Sequence, residues 1–410
     1  MKYCTRCVYP ETAAHRMYFD EMGVCSGCRT AEEKDEIDWE ARENILKEIL
    51  QEHKGKSSGP YDCIVPVSGG KDSHFQVHMI KEVYGLNPLL VTFNHQYNTR
   101  LGLDNLANLI KKLKVDNLRF TPNPEVIRKL AIMSMRKMGD FCWHCHTGIY
   151  TYPVQIAVKF NIPLIIWGEV GSLDFYGMYS LYDLVEMTRK QRVEHGMRGF
   201  DCQDMVSEEY GITERDLHWA VYPTDEELER VGVRGLYLGN YLKWNAKRHT
   251  ELMIEKYGFQ TAIEPRTYNP YENVECHHCG GAHDYLKYLK WGYGRATDHA
   301  AQDIRLGRIT REQGIDYVAQ YDHVRPSDMD TILTYLQMTE EEFLACVDSM
   351  RDERAWKKDE NGVWQLQDHV KNHKADTHVE EVRLPLKKDE NMNFKVTFPG
   401  NKFCGGHCLM

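Results

Sequence analysis

The chain is expected to fold as an α/β protein built on a doubly wound parallel sheet, with a small cysteine-built module before the sheet and a helical region after it. Three observations predict this. The apolar stretch at residues 61–66 runs directly into Val67-Ser68-Gly69-Gly70-Lys71-Asp72-Ser73, which reads as strand, glycine turn and helix start. Apolar runs then alternate with helical spacing as far as Trp167, the pattern of parallel strands joined by crossover helices. Ahead of both stand two CxxC pairs, Cys4/Cys7 and Cys25/Cys28.

Seventeen residues separate those pairs, the spacing of a zinc ribbon, and residues 1–30 are assigned to it. A segment this short cannot bury enough apolar surface to fold alone, so four thiolates closing a tetrahedral Zn²⁺ site would supply the missing stability. A redox or cluster role is the alternative. Residues 31–58 are charge-rich, with Ile37, Trp39, Ile45, Leu46 and Ile49 at helical spacing, and form a helical linker.

Residues 59–270 hold the sheet. After the first strand, Phe75, Met79, Ile80 and Val83 repeat at helical spacing and Gly85 ends the helix. Residues 87–93 give a second strand, Leu103, Leu106, Leu109, Ile110 and Leu113 one face of a helix, residues 117–120 a third strand, and residues 162–167 a fourth ending in Gly168-Glu169. Ligands bind at the carboxyl ends of such strands, where both the glycine run and Gly168-Glu169 fall. Two glycines let the backbone approach a ligand, Ser68, Ser73 and helix-terminal N–H groups offer donors, and Lys71 adds a charge suited to phosphate. The spacing fits neither GxxxxGK[ST] nor GxGxxG. Ser68-Gly69-Gly70-Lys71-Asp72-Ser73 instead resembles the PP-loop of ATP pyrophosphatases, which implies a site for the pyrophosphate of ATP. Glu169 is read either as a solvated loop carboxylate or as a group orienting Mg²⁺ or substrate.

Two further CxxC pairs, Cys142/Cys145 and Cys276/Cys279, lie far apart. Brought together by the fold they would make a second zinc site or an iron–sulfur cluster; otherwise they are separate buried or redox thiols. Residues 271–340 contain His283-Asp284-Tyr285-Leu286-Lys287-Tyr288-Leu289-Lys290-Trp291-Gly292-Tyr293-Gly294-Arg295 and then Asp298 and Arg305. Aromatics here suit a sugar or adenine ring, Lys287, Arg295 and Arg305 suit phosphates, and His283 and Asp298 suit proton handling, with exposed helix charges as the alternative. Residues 341–410 form a C-terminal extension ending in Cys404-Gly405-Gly406-His407-Cys408.

Composition narrows the class. A length of 410 residues exceeds a single core, no run approaches the roughly eighteen apolar residues of a membrane helix, and the start Met1-Lys2-Tyr3-Cys4 is no secretory signal. A cytoplasmic location is expected. Thirteen cysteines, eight of them in CxxC pairs, favour metal or redox thiols over disulfides, and a formal charge of −10 counts against broad nucleic-acid binding.

Taken together, Cys4-Thr5-Arg6-Cys7-Val8, the PP-loop, Trp167-Gly168-Glu169, and the runs at 283–300 and 303–314 resemble the N-acetyl sugar amidotransferases over residues 1–340. Those bacterial enzymes serve lipopolysaccharide O-antigen and flagellin-glycan pathways. The resemblance implies ATP-driven adenylation of the acetamido oxygen of a nucleotide-linked sugar, then displacement of AMP by ammonia to give an acetamidino group. It implies that Lys71, Asp72, Glu169 and Arg295 are catalytic, and that Ser68–Ser73 with Gly168 bind the nucleotide. The expected cofactors are ATP, Mg²⁺ and Zn²⁺, or a [4Fe–4S] cluster at the second cysteine set. Partner subunits supplying ammonia, similar to the glutaminase of imidazole glycerol phosphate synthase, are implied because no glutaminase motif is found here. The alternative is a PP-loop sulfurtransferase like the tRNA thiolases, carrying an iron–sulfur cluster.

Overall fold

The computed structural model describes residues 1–376 apart from Arg16 and Val170. Cys404 and Cys408, singled out in the sequence, lie outside the described residues. Five parallel strands form the sheet in the order β3-β2-β1-β4-β5: β1 Cys63–Pro66, β2 Pro88–Phe93, β3 Asp116–Phe120, β4 Leu164–Trp167 and β5 Arg234–Tyr237. Ile64 pairs with Leu89 on one side and Ile165 on the other.

Successive strand residues point to opposite faces, so each strand feeds two cores. Ile64, Leu89, Val91 and Ile165 join Val126, Ile127, Leu130 and Val154 of α5 (Pro124–Met138) and α6 (Trp143–Phe160). Cys63, Val65, Leu90, Leu164 and Ile166 join Leu46 of α2 (Trp39–His53), Phe75 of α3 (Lys71–Val77), Leu106 and Leu109 of α4 (Arg100–Leu113), and Met253 of the helix Ala246–Tyr257. Burial on both faces explains why the strands read as unbroken apolar runs.

Two of the helices flanking the sheet start on side-chain caps. Asp38 caps α2 by accepting from Ala41 N at 2.9 Å, and Thr99 caps α4 by accepting from Gly102 N at 2.9 Å. α2 presents Leu46, Ile49 and Leu50 to the core and leaves Ile45, expected on that face, 41% exposed. α3 continues as a wider π-type turn over His78–Val83 and ends at Gly85, whose φ is +68°.

Before the sheet, α1 (Ser26–Glu36) starts immediately after Cys25. Behind the sheet, helices Ala282–Trp291, Arg295–Arg305, Arg311–Tyr321, Met329–Leu336 and Glu340–Asp348 lead to an antiparallel pair, β6 (Trp356–Lys358) and β7 (Trp364–Leu366). The cysteine module packs on this region, Cys4, Val8, Tyr9 and Cys25 sharing a core with Trp291, Tyr293, Ala300 and Ile315. The chain folds back as well: the amino terminus of Met1 pairs with Asp368 at 3.3 Å, and Arg311 donates to His373 O at 2.9 Å. Among the described residues no helix is long and apolar enough to cross a membrane.

Candidate functional site

Strand order places β1 and β4 side by side while their connections run to opposite sides, the switch point where open α/β sheets bind ligands. The loop after β1 is held by its own side chains. Ser68 N donates to Ser73 Oγ at 2.9 Å, and Gly70 N donates to Ser68 Oγ at 3.2 Å. Gly69 has φ +98°, and a Cβ there would lie 2.7 Å from Gly102 O. Gly69→Ala therefore combines left-handed strain of at least about 1–2 kcal/mol with a backbone clash. We expect it to abolish binding of an ATP analogue in a calorimetric titration.

Lys71 is buried, 3% exposed, and is ringed by acids. Its Nζ pairs with Asp72 and lies 3.2 Å from Glu272 Oε1. Although burial opposes its charge, Asp72, Glu272 and Glu169 hold its pKa well above the usual lysine value, so it stays cationic at neutral pH. Burial, reinforced by Asp72, pushes Glu169 well above the usual carboxylate range. Glu275 approaches from the other side, accepting from Ser68 Oγ at 3.2 Å, and sits where a Cβ on Gly70 would meet its Oε1 at 2.8 Å. Neither Glu272 nor Glu275 was read as a site residue in the sequence; the pair of acids just before Cys276 was the available signal. Asp72 Oδ1 is buried and has no hydrogen-bond partner among the described residues. That donor set, one lysine among hard oxygen ligands, fits Mg²⁺.

Two cavities border Glu169. One of ≈320 Å³ is lined by Ser68, Asp72, Ser73, Phe93, Gly168 and Glu169, and the other, of ≈590 Å³, shares Glu169 with it. A Cβ on Gly168 would lie 2.2 Å from Gln76 Nε2, so a side chain there requires the Gln76 amide to move.

Cys4, Cys7, Cys25 and Cys28 close into one buried set. Their sulfurs all lie within 4.8 Å of one another, with Cys4–Cys28 at 3.9 Å and Cys7–Cys25 at 3.6 Å. Tetrahedral zinc with Zn–S near 2.3 Å requires sulfurs about 3.8 Å apart, so the thiols fit Zn²⁺. Arg305 lies on them, donating to Cys25 Sγ at 3.6 Å, Cys7 Sγ at 3.9 Å, Asp174 O at 3.0 Å and Phe175 O at 2.9 Å.

The other pairs come to one region. Cys142, Cys145 and Cys276 gather with Tyr97 and Leu286, and Cys279 donates to Asn273 Oδ1 at 3.2 Å. Besides the ribbon set, the group of metal-type ligand atoms within 4.8 Å of one another among the described residues is Asp140, Cys142 and His283. Its carboxylate is already engaged, by Arg198 at 2.9 Å, His283 Nε2 at 3.1 Å and Cys142 N at 2.7 Å. His283, which the sequence offered for proton handling, thus lies inside a buried ionic network.

Arg295 is also enclosed. Its Nε is 3.5 Å from Asp284, one terminal nitrogen is 3.5 Å from Asp298, and the other donates to Cys279 O at 3.1 Å. Lys287 pairs with Asp284 at 3.1 Å and with Asp298, which also accepts from Tyr9 O–H at 2.6 Å. The pocket that Arg295, Lys287 and His283 line measures only ≈30 Å³.

Residues 253–371 match the family described as LPS biosynthesis protein WbpG-like, C-terminal domain. The uncharacterized protein MJ1599 of Methanocaldococcus jannaschii is 32% identical over 113 residues, 28% of this chain, which spans 40% of that relative's length. Solved structures with similarity include NMN synthetase from Francisella tularensis (13% identity, TM-score 0.28, 54% of this chain and 87% of that one). They also include the NH3-dependent NAD synthetase of Campylobacter jejuni (13%, 0.27, 56% and 100%) and the U34-tRNA thiolase NcsA of Methanococcus maripaludis with its [4Fe-4S] cluster (11%, 0.31, 80% and 91%).

Proposed function

We propose that the chain uses ATP to activate the acetamido oxygen of a nucleotide-linked N-acetyl sugar and replaces that oxygen with ammonia, leaving an acetamidino group. The observation that carries this reading is Glu169, which lines both the cavity of the glycine loop and a second cavity large enough for another substrate. The family match over residues 253–371, with its tie to lipopolysaccharide biosynthesis, supports a sugar acceptor.

In the first step the acetamido oxygen attacks the α-phosphorus of ATP, an O–P bond forms, the α–β bridge breaks and pyrophosphate leaves. Ammonia then adds to the activated carbon, AMP departs with the former acetamido oxygen, and a proton is lost to solvent. Amide oxygen is a poor leaving group and adenylation makes it a good one. Lys71 and the loop N–H groups not spent on the Ser68 and Ser73 hydroxyls meet the charge that develops on pyrophosphate. Asp72, with Glu169 and Glu272 beside it, would hold Mg²⁺, which supplies charge neutralisation on the phosphates. Cys4, Cys7, Cys25 and Cys28 would hold Zn²⁺ as a structural ion. Arg295 acts by position, bracing Asp284 and Asp298 behind the site. Ammonia comes from a separate glutaminase.

The test is an acceptor carrying ¹⁸O in its acetamido group. Label recovered in AMP, with pyrophosphate released only when sugar is present, supports the reading; release of ADP, or label retained in the sugar, overturns it. The grouping of Cys142, Cys145 and Cys276 beside Tyr97 favours a second reading, sulfur transfer with a cluster. About four irons and sulfides per chain after anaerobic purification would select it, whereas zinc alone selects the amidotransferase.

A further inference from the structure

Lys287, Arg295 and Arg305, the cations that the sequence offers to a substrate's phosphates, are committed to carboxylates, carbonyls and thiols inside the protein. The ≈590 Å³ cavity has a different set. Its walls are α1, residues 243–249 and the helix Arg295–Arg305, and its lining includes Lys34, Lys243, Arg248 and Arg308. We propose that this cleft seats the diphosphate of the nucleotide-linked acceptor, with Arg248 and Lys243 as its phosphate ligands, Arg308 adding charge to the wall behind them, and the acetamido end directed to Glu169. The assignment rests on the acceptor proposed above.

Four observations carry it. Glu169 lines both this cleft and the cavity of the glycine loop, so a molecule seated here lies against a side chain that also borders the loop. Arg248 is exposed and enters no ion pair among the described residues, while Lys243, 48% exposed, makes a single one with Asp35 at 3.0 Å. Surface pairs of this kind are weakly held and exchange readily for phosphate. Arg308 is fixed by Asp303 at 2.7 Å and by Asn245, which presents its guanidinium in one orientation. Both of its terminal nitrogens are thereby engaged, so it contributes charge to the wall and leaves direct contact to Arg248 and Lys243.

The charged lining is mixed, with Lys34, Lys243, Arg248, Arg305 and Arg308 facing Asp35, Glu169, Asp174 and Asp303, one cation more than carboxylates. His249 stacks on Phe75 with ring centroids 3.6 Å apart. Burial and then Lys71, Arg308 and Lys34 push its pKa down to about 3. His299, on the opposite wall, donates to or accepts from Thr267 Oγ1 at 2.7 Å, and is held well below its ordinary value by burial and then by Arg295 and Lys287. Both imidazoles are thus kept neutral chiefly by burial, with the nearby cations adding to it. Trp244 and Tyr271 add apolar lining for the rest of the nucleotide.

The experiment is calorimetric titration of the zinc-loaded full chain with UDP-N-acetylglucosamine and, separately, with a non-hydrolysable ATP analogue. Arg248→Glu combined with Lys243→Glu alters exposed positions and leaves the fold intact, which zinc content and thermal unfolding check. We expect the sugar nucleotide to bind roughly tenfold or more weakly to the double variant, with the ATP analogue unaffected. Equal affinity in wild type and variant overturns the cleft, as does a wild type that binds bulk tRNA saturably and the sugar nucleotide not at all. The two proposals fail separately. Binding lost in the variant without any pyrophosphate release by wild type sinks the reaction and keeps the cleft; sugar-dependent release that the variant retains at unchanged KM does the reverse.

Discussion

Lys71→Ala should slow sugar-dependent pyrophosphate release by about 10²–10³-fold while leaving the zinc content at its wild-type level. The side chain is 3% exposed and its ammonium offsets Asp72, Glu272 and Glu169. Without it those acids are left as a buried negative cluster, against which the departing pyrophosphate would develop still more charge. Loss of one preorganised charge-stabilising group costs about 10²–10³ in turnover. Breaking a buried ionic set also destabilises, by about 3–5 kcal/mol, although carboxylates freed to protonate recover part of it. Lys71→Arg separates the two effects, since it keeps the charge and changes the geometry. Pyrophosphate release at the wild-type rate in Lys71→Ala would remove the loop from the mechanism.

Cys25→Ser should empty the ribbon of zinc and lower the unfolding midpoint of the whole chain. Cys25 is one of four mutually close sulfurs, and Arg305 donates to it from the helix Arg295–Arg305. Structural zinc contributes about 10–16 kcal/mol to small modules of this kind, and a net loss of several kcal/mol lowers the midpoint by roughly 10 °C. Damage spreads because the module is not an appendage. Tyr9 donates to Asp298 at 2.6 Å, Arg311 donates to Cys4 O and Cys7 O at 3.1 Å, and Lys34 on α1 pairs with Asp174 beside the large cleft. Metal analysis and calorimetry check both parts. Zinc at one per chain in Cys25→Ser would exclude this ligand set, and an unchanged midpoint without zinc would show that the ribbon folds without metal.

Much of the fold was legible because its signals are local. β1, β2 and β4 are buried on both faces, so their apolar runs stand out against amphipathic helices, and the glycine loop follows β1 directly. β5 was not legible: Arg234–Tyr237 is a short strand that contains Arg and Gly, and neighbouring β4 alone makes it one. The helix Ala282–Trp291 looked like a substrate-facing surface. In the structure Asp284, Lys287 and Lys290 are all buried, their charges compensated by residues such as Arg266, Asp298 and Met138 O from other elements.

By itself the sequence determined the parts that depend on neighbours along the chain: strands and their helices, the phosphate-type turn at Ser68–Ser73, and two CxxC pairs spaced to share one metal. Only the tertiary structure decided which charges remain available to a ligand. Ser68 meets Glu275 across 207 residues of sequence, and Arg305 turns from a candidate phosphate ligand into a partner of the ribbon thiols. Periodicity reports the face on which a side chain lies, but the ionic partner that neutralises it arrives from elsewhere in the fold, and that partner sets whether the charge serves the core or the substrate.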